Sequence, residues 1–285
     1  MSLPGIDFHT HPLLVREMIA RHPSLAAAAR ETFYIGNNFQ PLETFLLELD
    51  VSGLEKAVVL PIDATTSRGR TVYTNEQIAE LCAMSPRLVG FASVDPHDPR
   101  APDALRRAVE ELGLKGLKLA PAMQEFLPGD RLAYPVYEMA QRLRIPILFH
   151  AGMSWEPGSR LRHGQPLHFE NVAADFPGLS LVLAHLAWPW VTEAVALALK
   201  YPNVHLDTSA LYFDNPYDFL RYAMNHVVPL TVFERSLRRQ ILFGSNYPRA
   251  EVKNMAAAVR SLGFSPECLD LVFRGNAMRL LGGDR

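Results

Sequence analysis

Short apolar runs, each closed by a turn-forming or polar residue, recur along the chain at Ile6–His9, Ala57–Pro61, Leu88–Val94, Gly116–Leu119, Ile147–His150, Leu181–His185, Val204–Asp207 and Ile241–Gly244. Their β-branched and aromatic content reads as eight strands. Successive starts are separated by 51, 31, 28, 31, 34, 23 and 37 residues. The segments between them carry apolar residues at three- and four-residue steps, which predicts helices over Leu42–Leu54, Thr74–Met84, Ala101–Leu112, Tyr134–Leu143, Thr192–Lys200, Pro216–Val227 and Val252–Leu262. Asn75, Asp103 and Ser265 read as N-terminal signals, and Gly53 and Gly113 as left-handed C-terminal caps. Strand and helix alternate with a repeat near the roughly 30 residues of one barrel unit, so the expected fold is α/β, a single (β/α)8 TIM barrel.

Two of the connections are long, from Thr10 to Gln40 and from Ala151 to Phe169. Both follow a strand, so both belong at the C-terminal face of the barrel, where loops shape substrate access.

Composition narrows the class. The 285 residues fit one barrel, and no repeat, low-complexity stretch or linker divides them, so residues 1–285 read as one domain. With 48% apolar and 20% charged residues the chain buries a large core. The 28 Lys+Arg against 30 Asp+Glu leave a formal charge of −2 without a dense basic cluster, which argues against nucleic acid as a partner. The longest apolar stretches fall far short of the ~20 residues that cross a bilayer, and no signal pattern opens the chain, so a soluble cytoplasmic protein is expected. Cys82 and Cys268 are too few and too far apart for a disulfide framework. Neither GxGxxG, GxxxxGK[ST] nor GxSxG occurs, which removes the support for nucleotide cofactors and for a serine hydrolase.

The candidate chemistry is carried by histidines. Asp7-Phe8-His9-Thr10-His11 puts two imidazoles two residues apart at the end of the first strand, where alternation aims both the same way and lets them share a metal. His150 and His185 close the fifth and sixth apolar runs, so four imidazoles are expected at one barrel mouth. A polar residue closing an apolar strand is by itself ordinary; the convergence of four is what singles these out. His22, His97, His163, His168, His205 and His226 fall elsewhere and are read as structural.

These motifs, with Gly90-Phe91-Ala92-Ser93-Val94-Asp95-Pro96, Gly116-Leu117-Lys118-Leu119, Leu148-Phe149-His150, Leu183-Ala184-His185 and Leu242-Phe243-Gly244-Ser245-Asn246-Tyr247-Pro248, resemble the amidohydrolase-related, metal-dependent barrel enzymes typified by aminocarboxymuconate semialdehyde decarboxylase. The resemblance runs over nearly the whole chain. It implies one divalent metal, zinc or alternatively manganese, on His9, His11 and His150, with His185 as general acid/base and position 246 completing the site. It also implies a hydrolase or a non-oxidative decarboxylase acting on a small carboxylated substrate, and a homodimer, to which the apolar stretch Leu269–Phe273 would contribute as either core or interface.

Position 246 departs from the pattern. The family's aspartate is Asn246 here, a neutral amide that can coordinate weakly but adds no charge and takes no proton. Lys118 and Arg249 are expected to anchor a substrate carboxylate. The loop holding Trp155, Glu156, Arg160 and Arg162 is expected to form an apolar and cationic wall. Trp188 and Trp190 belong either to the site or to the shell beneath it. Asn246 also motivates two rival readings, a barrel that binds a ligand without catalysis and a metal-independent lactone hydrolase.

Overall fold

The eight apolar runs form parallel strands in a computed structural model that describes residues 4–33, 36, 39–209 and 212–282: β1 (Gly5–Thr10), β2 (Leu54–Val59), β3 (Leu88–Gly90), β4 (Leu117–Leu119), β5 (Ile147–Phe149), β6 (Leu181–Leu183), β7 (Val204–Asp207) and β8 (Ile241–Leu242). Regular pairing gives two arcs, β1-β2-β3 and β4-β5-β6-β7-β8. Residues just outside the strands join them into a ring. At one seam Ala92 N donates to Gly116 O at 2.7 Å and Lys118 N to Ala92 O at 2.7 Å. At the other, Phe8 N donates to Phe243 O at 2.8 Å and Asn246 N to His9 O at 2.9 Å. The architecture is the TIM barrel.

Strand alternation decides what faces inward. Ile147 and Phe149 belong to the large apolar core that the strands share with the helices, whereas Leu148 between them joins a separate cluster with Ile6, Phe8, Val58, Phe91, Val182 and Leu242. That second cluster fills the ring's interior. Register places Lys118 beside Leu148 and Leu148 beside Val182, so Lys118 shares the interior face.

Helices lie between successive strands at Leu42–Val51, Asn75–Ala83, Ala101–Glu110, Tyr134–Leu143, Glu170–Asp175, Val191–Lys200 and Pro216–Arg221, and Val252–Arg260 follows the last strand. Thr74, rather than Asn75, caps its helix: its hydroxyl accepts from Gln77 N at 3.2 Å while Gln77 Oε1 accepts from Thr74 N at 2.9 Å. Ser265 accepts from Cys268 N at 3.2 Å, and Gly53 and Gly113 take φ of +69° and +75°. The helix expected over Pro216–Val227 changes to a π-helical turn at Tyr222. Of the apolar C-terminal stretch, Val272 and Phe273 are buried, and the Phe273 ring stacks on Phe243 at 4.6 Å, so these two are core. Among the described residues no helix is long and apolar enough to cross a membrane.

One element was not expected. A hairpin of Ile62–Ala64 with Arg70–Val72 follows β2 on the C-terminal side of the ring and takes part in closing the cavity described next.

Candidate metal centre

A cavity of about 60 Å3 opens at the C-terminal ends of the strands. Its lining includes His11, Lys118, His150, Trp155, His185, Asn246 and Arg249, with Ile62, Glu156 and Met123. His9 stands behind it, its ring 4.9 Å from that of His185. The fold thus gathers the four histidines with Lys118, Trp155, Glu156, Asn246 and Arg249, though not every residue the sequence offered for the walls. Trp155, half exposed, and Arg249, also exposed, sit at the mouth.

The hydrogen bonds on each ring decide where its proton lies. His9 Nδ1 is 2.8 Å from Asp207 Oδ2, and His11 Nδ1 is 2.9 Å from the Leu60 carbonyl. Both partners are acceptors, so both rings carry the proton on Nδ1 and present Nε2 as a lone pair. These two Nε2 atoms face each other at 3.3 Å. The pattern repeats across the cavity: His150 Nε2 donates to Met153 O at 3.1 Å, His185 Nδ1 to Ser209 O at 3.1 Å, and the remaining atoms, His150 Nδ1 and His185 Nε2, lie 3.3 Å apart.

Facing acceptors repel unless a positive centre lies between them, and about 3.3 Å is the edge of a tetrahedron with metal–nitrogen bonds of about 2.05 Å. Burial pushes His9, His11 and His185 well below the usual imidazole range and His150 down to about 3, so the rings are neutral at physiological pH. Neutral imidazole is the form that binds a metal. The donor set therefore fits a divalent ion. One group of three, His9, His185 and Asp207, offers ligand atoms all within 4.8 Å of one another.

Asn246 is held in the left-handed region, φ +64°, a conformation asparagine tolerates better than most residues. Gly244 allows the close approach at this point, since a Cβ there would stand 2.8 Å from His9 Cβ.

Lys118 is 1% exposed and its Nζ has no hydrogen-bond partner. Burial pushes its ammonium down to about 7, while Asp207 pulls it back up. Asp7, beneath His9, is likewise buried; desolvation raises its carboxyl to about 7 against hydrogen bonds from Ser245 and His9 N.

The expected cationic wall is not formed by Arg160 and Arg162, which are exposed and outside the cavity lining. Glu156 lines it instead, because Arg68 of the hairpin loop holds its carboxylate at 2.9 Å and Arg70 lies at 3.6 Å. Trp188 packs on Tyr212 with ring centroids 4.4 Å apart, and neither Trp188 nor Trp190 lines the cavity. The other histidines have different roles: His22 pairs with Glu80 and His97 with Asp95, while His205 is buried with its Nδ1 at 3.3 Å from Asn203 O. Sequence reasoning passed over Asp207 and Ser209, although Asp207 closes an apolar strand just as the histidines do.

A family model described as amidohydrolase matches residues 6–283. The chain belongs to the amidohydrolase family. It is accordingly an enzyme. Protein fluG of Emericella nidulans is 25% identical over 160 residues, 51% of this chain, which spans only 18% of that relative's length. A TIM-barrel protein from Bordetella bronchiseptica superposes with a TM-score of 0.75 at 23% identity over 98% of both chains. The 2,6-dihydroxybenzoate decarboxylase from Rhizobium gives 0.69 at 16% identity over 99% of both. A 5-carboxyvanillate decarboxylase from Novosphingobium aromaticivorans, complexed with manganese, gives 0.65 at 15% identity over 97% of this chain and 94% of that one. At these identities the likeness is one of fold.

Proposed function

We propose that this amidohydrolase-family enzyme uses one divalent metal, zinc or manganese, to hydrolyse or decarboxylate a small carboxylated organic substrate. The observation that carries the reading is the pair of unprotonated Nε2 atoms of His9 and His11, 3.3 Å apart beside a buried lysine whose Nζ has no partner. His9, His11 and His150 would hold the ion, with the Asn246 amide as a neutral fourth group. Bound there, such an ion supplies Lewis acidity toward a substrate oxygen or a water.

The chain's own groups do the rest. Lys118 meets a substrate carboxylate inside the cavity, where the ammonium gains the hydrogen-bonded partner that its Nζ lacks in the fold. Arg249 at the mouth offers a planar pair of donors to the same anion or to a second one. Trp155 covers the entrance with an apolar face. His185 moves the proton at Nε2: neutral at rest, it takes one from water and then returns it to the leaving group in hydrolysis, or passes it to the carbon from which CO2 departs in decarboxylation, with hydroxide left behind.

The test is turnover of a panel of small carboxylated aromatics, muconate-type acids and lactones, before and after chelation. Activity that disappears on chelation and returns with zinc or manganese supports the reading. Lactone turnover indifferent to chelation would establish the metal-independent lactonase that Asn246 also suggests, and ligand binding without turnover would point to a binding protein.

A further inference from the structure

Asp207 closes β7, and its carboxylate is completely buried. Oδ2 accepts from His9 Nδ1 at 2.8 Å. Oδ1 accepts from His185 N at 2.9 Å, from Ser209 N at 3.0 Å and from the Ser209 hydroxyl. One carboxylate therefore meets four donors, one on one oxygen and three on the other. Two of these donors belong to histidines of the cavity, reached from β1 and from the end of β6.

The segment bound at Oδ1 needs holding. His185, Leu186 and Ala187 take φ of +61°, +49° and +50°, three successive residues in a region that non-glycine residues occupy only when their surroundings enforce it. Ser209 adds a second link. Its hydroxyl gives its one proton to Asp207, so its oxygen can only accept; it lies 2.8 Å from His185 Nδ1 and 3.2 Å from His9 Nδ1.

We propose that Asp207 is the positioning residue of this centre: it fixes His9 as the Nδ1–H tautomer, keeping Nε2 unprotonated toward His11, and it anchors the turn that carries His185 on the same carboxylate. The inference deepens the metal-centre reading and rests on it for its functional consequence, whereas the tautomer itself is a property of the metal-free protein. With a neutral amide at position 246, Asp207 also supplies negative charge against the His9 ring, which makes that imidazole a better donor.

Asp207→Asn discriminates between positioning and mere packing. Three donors converge on Oδ1 and one on Oδ2, so the amide oxygen takes the crowded side and its NH2 group is left against His9 Nδ1. A donor cannot face a donor, and the His9 proton has to move to Nε2, the atom that faces His11. A packing role would lower stability without moving that proton.

The experiment records long-range proton–nitrogen correlations of metal-free, 15N-histidine-labelled protein at neutral pH, with the His9 signals assigned by their loss in His9→Gln. Wild type should show His9 protonated at Nδ1. Asp207→Asn should show it protonated at Nε2, and its manganese affinity by titration should fall at least about tenfold. Ser209→Ala should keep His9 at Nδ1, since the bond to Asp207 remains. His9 protonated at Nε2 in the wild type would overturn the proposal, as would an unmoved proton in Asp207→Asn. Should Asp207→Asn fail to fold, the wild-type and Ser209→Ala spectra decide. If the tautomers are as stated but no variant, nor the wild type, binds manganese or zinc, the metal-centre reading fails while the positioning by Asp207 stands.

Discussion

Lys118 shows how a residue can cost stability while serving the site. Its unfolded-state amine keeps a proton up to ~10.5, whereas in the folded chain burial brings the ammonium down to about 7. The folded pKa is the lower one, so the unfolded state binds more protons throughout this window and stability is lost as pH falls from ~10.5 to about 7. For one fully buried group the loss reaches ~4 kcal/mol at the lower end. In ligand-free, metal-free protein, Lys118→Met should therefore raise the melting temperature at pH 7, with the advantage shrinking toward pH ~10. The same variant should raise KM for the carboxylated substrate at least ~tenfold, since a charged anchor is removed. A lower melting temperature at pH 7, or an unchanged KM, would contradict the role. Residues of this kind were legible because a lysine or histidine inside or closing an apolar strand stands out from its neighbours. Asp207 has the same signature but is less conspicuous, an acid after a strand being also an ordinary turn former, and nothing local marks Ser209.

At the scale of elements, the loop after β5 forms one wall of the cavity, and its path depends on Gly152. There φ is +84°, and a Cβ would lie 2.2 Å from Trp188 O. Gly152 N donates to Gly164 O at 2.8 Å and Met153 N to Trp188 O at 2.8 Å, which seats the Met153 carbonyl against His150 Nε2. Gly152→Ala should destabilise the protein by ~2–4 kcal/mol, through both the backbone conformation and the clash. Faster amide exchange over residues 151–164 should accompany it. Denaturation within ~0.5 kcal/mol of wild type would show that the wall does not depend on this packing. The strands and most helices were legible from periodicity. The hairpin Ile62–Ala64 with Arg70–Val72 was not, because three-residue strands are too short to establish a two-residue period. Its contact from Arg68 to Glu156 spans 88 residues and leaves no local pattern, which is why the wall was expected to be cationic.

For the whole molecule, the order of the eight strands follows from their spacing, whereas the closure of the ring does not. Its seams are bonded by Ala92, Phe243 and Asn246, which lie beyond the regular strands and are placed only once both arcs curve around the interior cluster of Phe8, Phe91 and Leu148. Closure is what brings β1 and the segment after β8 together, and with them His9 and Asn246. The central claim, that this closure assembles a centre for one divalent metal, is tested most directly by titrating metal-free wild type and Asn246→Asp side by side with zinc or manganese. The account predicts about one ion per chain bound more tightly than ~100 μM in the wild type, and tighter binding in Asn246→Asp, where an anionic oxygen is added with little change in volume. Binding no tighter than ~100 μM in both proteins would contradict it.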